Sequence, residues 1–207
     1  MQVSAEIRWF WSGTVPRNVD NWFRDRRFTP GGGKPREDVY LHDPAQGELG
    51  IKKRGSKAGV EVKGLAGHFT LGDLPSWPHV RPEIWCKWSS APLDISAYST
   101  VSTNKIRWLR KFDTSSGAAR EIQLGEDEMP LGGIVLPEQG CNVEFTQIRI
   151  ANSKDEWWTL GFEAFGELDT VQDNLRSTLK GMTSPDQDCF HSSEVLSYPA
   201  WLSKISV

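Results

Sequence analysis

The chain has 207 residues, 24 of them basic and 27 acidic, for a formal net charge of -3, so bulk electrostatics excludes a nucleic-acid polymer as partner and any anion site must be local. That length can bury a sizeable core without disulfides or a structural metal, and one domain over residues 1–207 is the expectation. Cys86, Cys141 and Cys189 are odd in number and lack zinc-like spacing, which argues against a disulfide framework or a zinc site and fits a reducing, cytoplasmic setting.

Taken in chain order, Met1 to Trp11 carries Glu6 and Arg8 among its apolar residues, so it lacks the unbroken hydrophobic run of a secretory signal. No later stretch is long and apolar enough to span a membrane as a helix. Val3 to Trp11 instead alternates with period two, as a strand does. Gly31-Gly32-Gly33 and Pro35 close a polar stretch around Trp22 to Arg27 and read as a loop. Gly33-Lys34 is followed by Pro35 rather than Ser or Thr, so it is not a phosphate-cradling loop. Alternation then returns in Asp38–His42, Glu48–Arg54, Val60–Gly64, Arg81–Trp88, Thr103–Phe112, Asn142–Ile150 and Trp157–Phe165, bounded by Gly, Pro or Asp. Segments 71–78 and 125–140 read as long connections. Leu168, Val171, Leu175 and Leu179 repeat at helical spacing with Lys180-Gly181 as a stop, which predicts one amphipathic helix. Ser193 to Ile205, with Pro199 inside it, predicts a second, broken helix covering apolar surface.

Within the strands one parity is apolar: Ile7, Trp9 and Trp11; Val60 and Val62; Ile106 and Trp108; Val143 and Phe145; Leu160 and Phe162. The other parity is charged: Glu6 and Arg8; Lys52 and Arg54; Glu61 and Lys63; Arg81, Glu83 and Lys87; Lys105 and Arg107; Glu144; Glu163. An open antiparallel sheet with its charges in water produces the same alternation. Eight strands can also close on themselves and remove their edges, which puts the apolar parity under helices and the charged parity around a tunnel. The expected fold is therefore α+β, mainly antiparallel, with an eight-stranded tunnel barrel and C-terminal helices from about residue 167. An empty tunnel so rich in cations is disfavoured unless carboxylates, water or anions balance it, and a polyphosphate would supply that balance. The opposite orientation, a barrel around an apolar ligand, would need the aromatic parity inside, and a membrane barrel would need longer strands. His42, His68, His79 and His191 show no ligand spacing and read as surface or loop residues.

The order of these strands resembles the CYTH superfamily, the triphosphate tunnel metalloenzymes, from about Val3 to Gly166. Asp38-Val-Tyr40-Leu-His-Asp43 is similar to its second-strand Asp-x-Tyr-x-x-Asp pattern, and Leu49-Gly-Ile-Lys52-Lys-Arg54-Gly55 resembles its Leu-Arg-Ile-Arg-x-Arg-Gly strand. Val60-Glu-Val-Lys63-Gly64, Lys105-Ile-Arg107, Cys141-Asn-Val-Glu144-Phe-Thr and Trp158-Thr-Leu-Gly-Phe-Glu163 are similar to four later motifs. Three positions depart from the pattern: Ser4 stands for an opening Glu, Gly50 for an Arg, and Ala164 or Phe165 for a second late acid.

The resemblance implies a metal-dependent hydrolase acting on inorganic triphosphate, thiamine triphosphate or a nucleoside triphosphate, with Mg2+ or Mn2+ as cofactor. Arg8, Lys52, Arg54, Lys63, Arg81, Lys87, Lys105 and Arg107 would bind substrate; Glu6, Glu61, Glu144 and Glu163 would serve catalysis, with Glu6, Glu144 and Glu163 on the metal. A non-catalytic polyanion-binding module is the alternative that Ser4 and Gly50 suggest, and adenylate cyclisation is a further one. The expected partner is a small phosphate compound, with neither nucleic-acid polymer nor membrane.

Overall fold

The computed structural model describes residues 1–207 apart from 16, 26, 56, 57, 73, 75, 76, 78–80 and 206–207. His79 and part of the 71–78 connection thus lie outside the described residues. The alternating segments form β1 (Gln2–Ser12), β2 (Gly31–Leu41), β3 (Leu49–Arg54), β4 (Val60–His68), β5 (Glu83–Ser90), β6 (Thr100–Asp113), β8 (Gly140–Ile150) and β9 (Glu156–Gly166). Two short strands join them, β7 (Arg120–Ile122) on β6 and β10 (Glu194–Val195) on β1.

Antiparallel pairing runs β1-β5-β4-β3-β2-β6-β8-β9, and β9 returns to β1 from Val3↔Gly166 to Ser12↔Trp157, which closes an eight-stranded barrel. Closure leaves no open edge in the ring, so every strand must bury or cover both faces.

The apolar parity lies outside, under helices. Ala5, Ile7, Trp9 and Trp11 of β1 join Val143 and Phe145 of β8 and Leu160 and Phe162 of β9 in the largest core cluster. The covering residues come from α1 (Arg17–Arg24), α2 (Val171–Gly181) and a short 3-10 turn (Gln187–Phe190). Trp9 alone meets Trp77, Phe162 and Phe190 with ring centroids 5.5, 6.2 and 5.2 Å away. In α2, Val171, Leu175 and Leu179 are spaced four apart on the buried side, while Asp173 in the first turn and Lys180 in the last complement the helix dipole. Leu168 precedes this helix and is 61% exposed, so the predicted start is too early by one turn.

Two expectations fail between Ser12 and Leu41. The polar stretch read as loop contains α1, whose fully buried residues are only Val19 and Phe23, four residues apart, with Trp22 partly buried against the same core. Its C-terminal carbonyls are taken up by the buried Arg110 of β6, which donates from Nε to Phe23 O (2.6 Å) and from Nη2 to Arg24 O (3.2 Å). Gly31 to Gly33 are strand rather than loop: β2 begins at Gly31, and its pairing with β6 slips between Gly32 and Pro35. Gly32 and Gly33 hold φ of +92° and +91°, a left-handed bulge open to glycine.

The inward parity is not charged throughout. At one end of the barrel Phe10, Tyr40, Val101, Ile148 and Ile150 surround Trp201, Leu202 and Ile205. The second predicted helix is shorter than its Ser193 to Ile205 signal, since Glu194–Val195 pair as β10 and Pro199 opens the helix rather than breaking it; α3 (Tyr198–Lys204) enters that end, with Trp201 stacked on Phe10 at 5.3 Å and 12°. Ser197 caps α3 by accepting from Ala200 N–H (3.2 Å), and Pro199 occupies the first turn, where no N–H is needed.

Candidate anion pocket

Above the α3 floor the inward side chains enclose a cavity of about 260 Å3. Of the predicted cations, Arg8 (β1), Lys52 and Arg54 (β3), Lys63 (β4), Lys87 (β5), and Lys105 and Arg107 (β6) line it, and Arg36 of β2 joins them. Arg81 does not: it is exposed, precedes β5, and borders a separate cavity of about 280 Å3 beside Glu83 and His68. Among the predicted acids Glu61, Glu144 and Glu163 line the main cavity, whereas Glu6 is buried outside its lining. Eight cations thus face three carboxylates, and Asp38, Glu6 and Glu128, each paired with a lining cation, bring the acids to six.

Depth grades the lining. Lys105 is 1% exposed in its side chain and Arg8 is 5% exposed, but Lys52, Lys63 and Arg54 retain 20, 23 and 24%. Those two deepest cations are the ones that face the Tyr198 ring of α3, so the cavity deepens toward that helix.

Each buried acid has a cationic partner. Asp38, fully buried, lies 3.3 Å from Lys52 Nζ and 3.6 Å from both Lys105 Nζ and Arg36 Nε. Burial opposes its charge, yet Lys105, Lys52, Arg36 and Arg54 outweigh that and hold the carboxyl at about 2. Glu144 accepts from Arg8 Nη2 (2.9 Å) and Arg107 Nη1 (2.6 Å); these guanidiniums overcome burial and keep it well below the usual carboxylate range. Glu61 sits 3.5 Å from Lys52 and 3.7 Å from Arg54. Glu6 accepts from Ser4 Oγ and Lys63 Nζ, and burial still pushes its carboxyl up, with Glu163 adding to the shift.

Lys105 donates to Tyr40 Oη (2.6 Å) and lies 3.7 Å from the Tyr198 ring centroid. Burial, reinforced by Lys52, Arg36 and Arg8 and opposed by Asp38, lowers its ammonium well below the ordinary lysine value. The same burial raises the Tyr198 hydroxyl to about 12. Other groups carry unused capacity: among the described residues Arg36 Nε, Arg54 Nε and Thr146 Oγ1 are buried with no hydrogen-bond partner, and all three residues line the cavity.

The expected metal trio does not fit a resident divalent ion. Lys63 and Ser4 engage Glu6, two guanidiniums engage Glu144, and Glu163 alone of the three has no ion pair among the described residues. Nor, among those residues, do three or more His, Cys, Asp or Glu side chains converge as a metal-holding group. The Gly50 departure has a steric cause, since a Cβ there would meet Pro199 Cγ at 3.0 Å. The floor helix fills the space that a longer side chain would take. Arg36, Tyr198 and Pro199 escaped the sequence reading. Arg36 was within reach, two residues before Asp38 on the same parity. Tyr198 and Pro199 belong to a helix, where strand parity is silent.

No family model and no curated protein matches the chain. Among solved structures it is similar to a conserved hypothetical protein from Pyrococcus furiosus, at 12% identity and TM-score 0.41 over 94% of this chain and 98% of that one. A Pyrococcus horikoshii protein gives 12% identity and TM-score 0.39 over 91% of this chain and 93% of that one. The S. pombe Pct1 RNA triphosphatase gives 9% identity and TM-score 0.40 over 88% of this chain and 77% of that one. Likenesses this distant carry nothing about the ligand.

Proposed function

We propose that the barrel binds a triphosphate-containing small molecule, with the phosphate chain directed into the cationic cavity and its end stopped by α3. One observation carries this reading: eight cations line a cavity with three carboxylates, and Arg36 Nε and Arg54 Nε are buried there without hydrogen-bond partners. Phosphate oxygens satisfy such donors with charge-assisted bonds and offset the excess positive charge. Titration calorimetry with tripolyphosphate, thiamine triphosphate and ATP tests it, the expected result being binding that weakens as salt is raised. Absence of heat with all three at low salt would refute it.

A second reading, hydrolysis of the bound chain, draws on Glu163, the lining carboxylate without an ion pair among the described residues. Phosphate release measured with and without Mg2+ or Mn2+ separates turnover from binding alone, and assay for a cyclic nucleotide product covers cyclisation.

A further inference from the structure

The least expected acid at the pocket is Glu128, which belongs to no barrel strand. It stands at the tip of a turn in which Gly125 N–H donates to Met129 O (2.8 Å) and Glu128 N–H to Gly125 O (3.0 Å). Leu124 and Pro130 pair across the base of that turn. The turn rests on the glycine start of β2: a Cβ on Gly31 would meet Gly125 O at 2.7 Å, and one on Gly32 would meet Arg107 O at 2.5 Å and Glu128 Oε1 at 3.0 Å. A side chain at Gly31 would collide with the turn's backbone, and one at Gly32 would collide with β6 and press on the Glu128 carboxylate.

From there Glu128 reaches Arg107 with both carboxylate oxygens, accepting from Nε (3.1 Å) and from Nη2. Glu144 takes Nη1, so all three nitrogens of this guanidinium have carboxylate partners. Arg36 and Arg54 differ, since the Nε of each is buried without a hydrogen-bond partner. A bidentate carboxylate on one edge of a guanidinium uses the same donors that a phosphate would use. Glu128 also holds φ of +64°, a left-handed backbone that a glutamate rarely adopts, so the residue sits where its own backbone preference opposes it.

We propose that Glu128 is an internal anion that occupies Arg107 until the ligand displaces it, and so determines which anions the cavity accepts. An anion that cannot replace both of its hydrogen bonds leaves Glu128 in place and gains nothing from Arg107. A more highly charged phosphate chain takes the guanidinium and releases the turn. This rests on the reading that the cavity binds a phosphate compound.

The test is calorimetric titration of tripolyphosphate into the full chain and the variants E128Q, E126Q and R107A/E128Q. E128Q should bind more tightly, by a factor on the order of ten, corresponding to the loss of one competing charge-assisted pair. Glu126 is exposed on the same turn, so E126Q removes an equal charge without touching Arg107 and should change affinity by less than about two-fold. R107A/E128Q should show no gain. E128G, which also relieves the left-handed backbone, should reproduce the E128Q gain without lowering the thermal midpoint. Unchanged or weaker binding in E128Q, or an equal gain in E126Q, would overturn the inference while leaving wild-type binding, and the proposed function, intact. Binding by neither wild type nor E128Q would remove both.

Discussion

The two ends of the barrel are built from the same strands by the same rule, yet they do opposite things. On the inward parity of β1, Glu6 and Arg8 sit among ion pairs, and two residues later Phe10 stacks on Trp201. On β8 the change is from Glu144 to Ile148 and Ile150. Closure alone produces a pipe; a few apolar residues on the inward parity, met by a seven-residue helix, convert it into a blind pocket.

The largest expected effect breaks the apolar end. Trp201 is 1% exposed, and Trp201→Ala should cost about 3–5 kcal/mol, the range for truncating a buried aromatic; denaturant unfolding measures it. A loss below about 1 kcal/mol would mean that α3 merely covers the opening. At the charged end, Arg54→Ala should weaken tripolyphosphate binding by about 1.5–3 kcal/mol, the value of a hydrogen bond to a charged group. Arg149→Ala is the matched control, because that arginine is 65% exposed and paired with Glu156 away from the cavity; its binding should stay at the wild-type level.

Acid acts on the charged end alone. Asp38 titrates at about 2 in the fold against an ordinary 3.8, so its contribution is present above pH 4 and is lost as the pH falls through 4 toward 2. The loss should amount to about 2 kcal/mol, and Asp38→Asn should flatten this limb of the stability curve. Glu6 acts with the opposite sign, since its raised carboxyl pKa favours the folded state in acid and costs stability as the pH rises. Last, Gly50→Ala should cost less than about 1 kcal/mol in a thermal melt, because its Cβ at 3.0 Å from Pro199 Cγ requires only a small shift of the floor helix.

Much of the barrel was legible because period two is a strong signal: Ile7, Trp9 and Trp11 against Glu6 and Arg8 already assign two faces. The start of β2 was not, because glycines carry no side chain to show parity and the slip between Gly32 and Pro35 breaks the count. Arg81 was misplaced because alternation continues past the point where pairing stops, at Glu83. Which cations face the cavity could be read from parity. Whether each acid there was free for a metal could not, since that depends on partners brought from other strands, as Arg8 and Arg107 are to Glu144. Nothing local in the 125–129 turn announces that its tip ends on Arg107.

The seam between β1 and β9 also governs how the chain must assemble. It joins groups as distant as Arg8 and Thr159, 151 residues apart, so the ring cannot be completed until nearly all its strands exist. Topologies dominated by such remote contacts fold slowly, on the order of milliseconds to seconds. Before that moment β1 is an aromatic ribbon with one unpaired side, and the hazard of mispairing between neighbouring chains is greatest then.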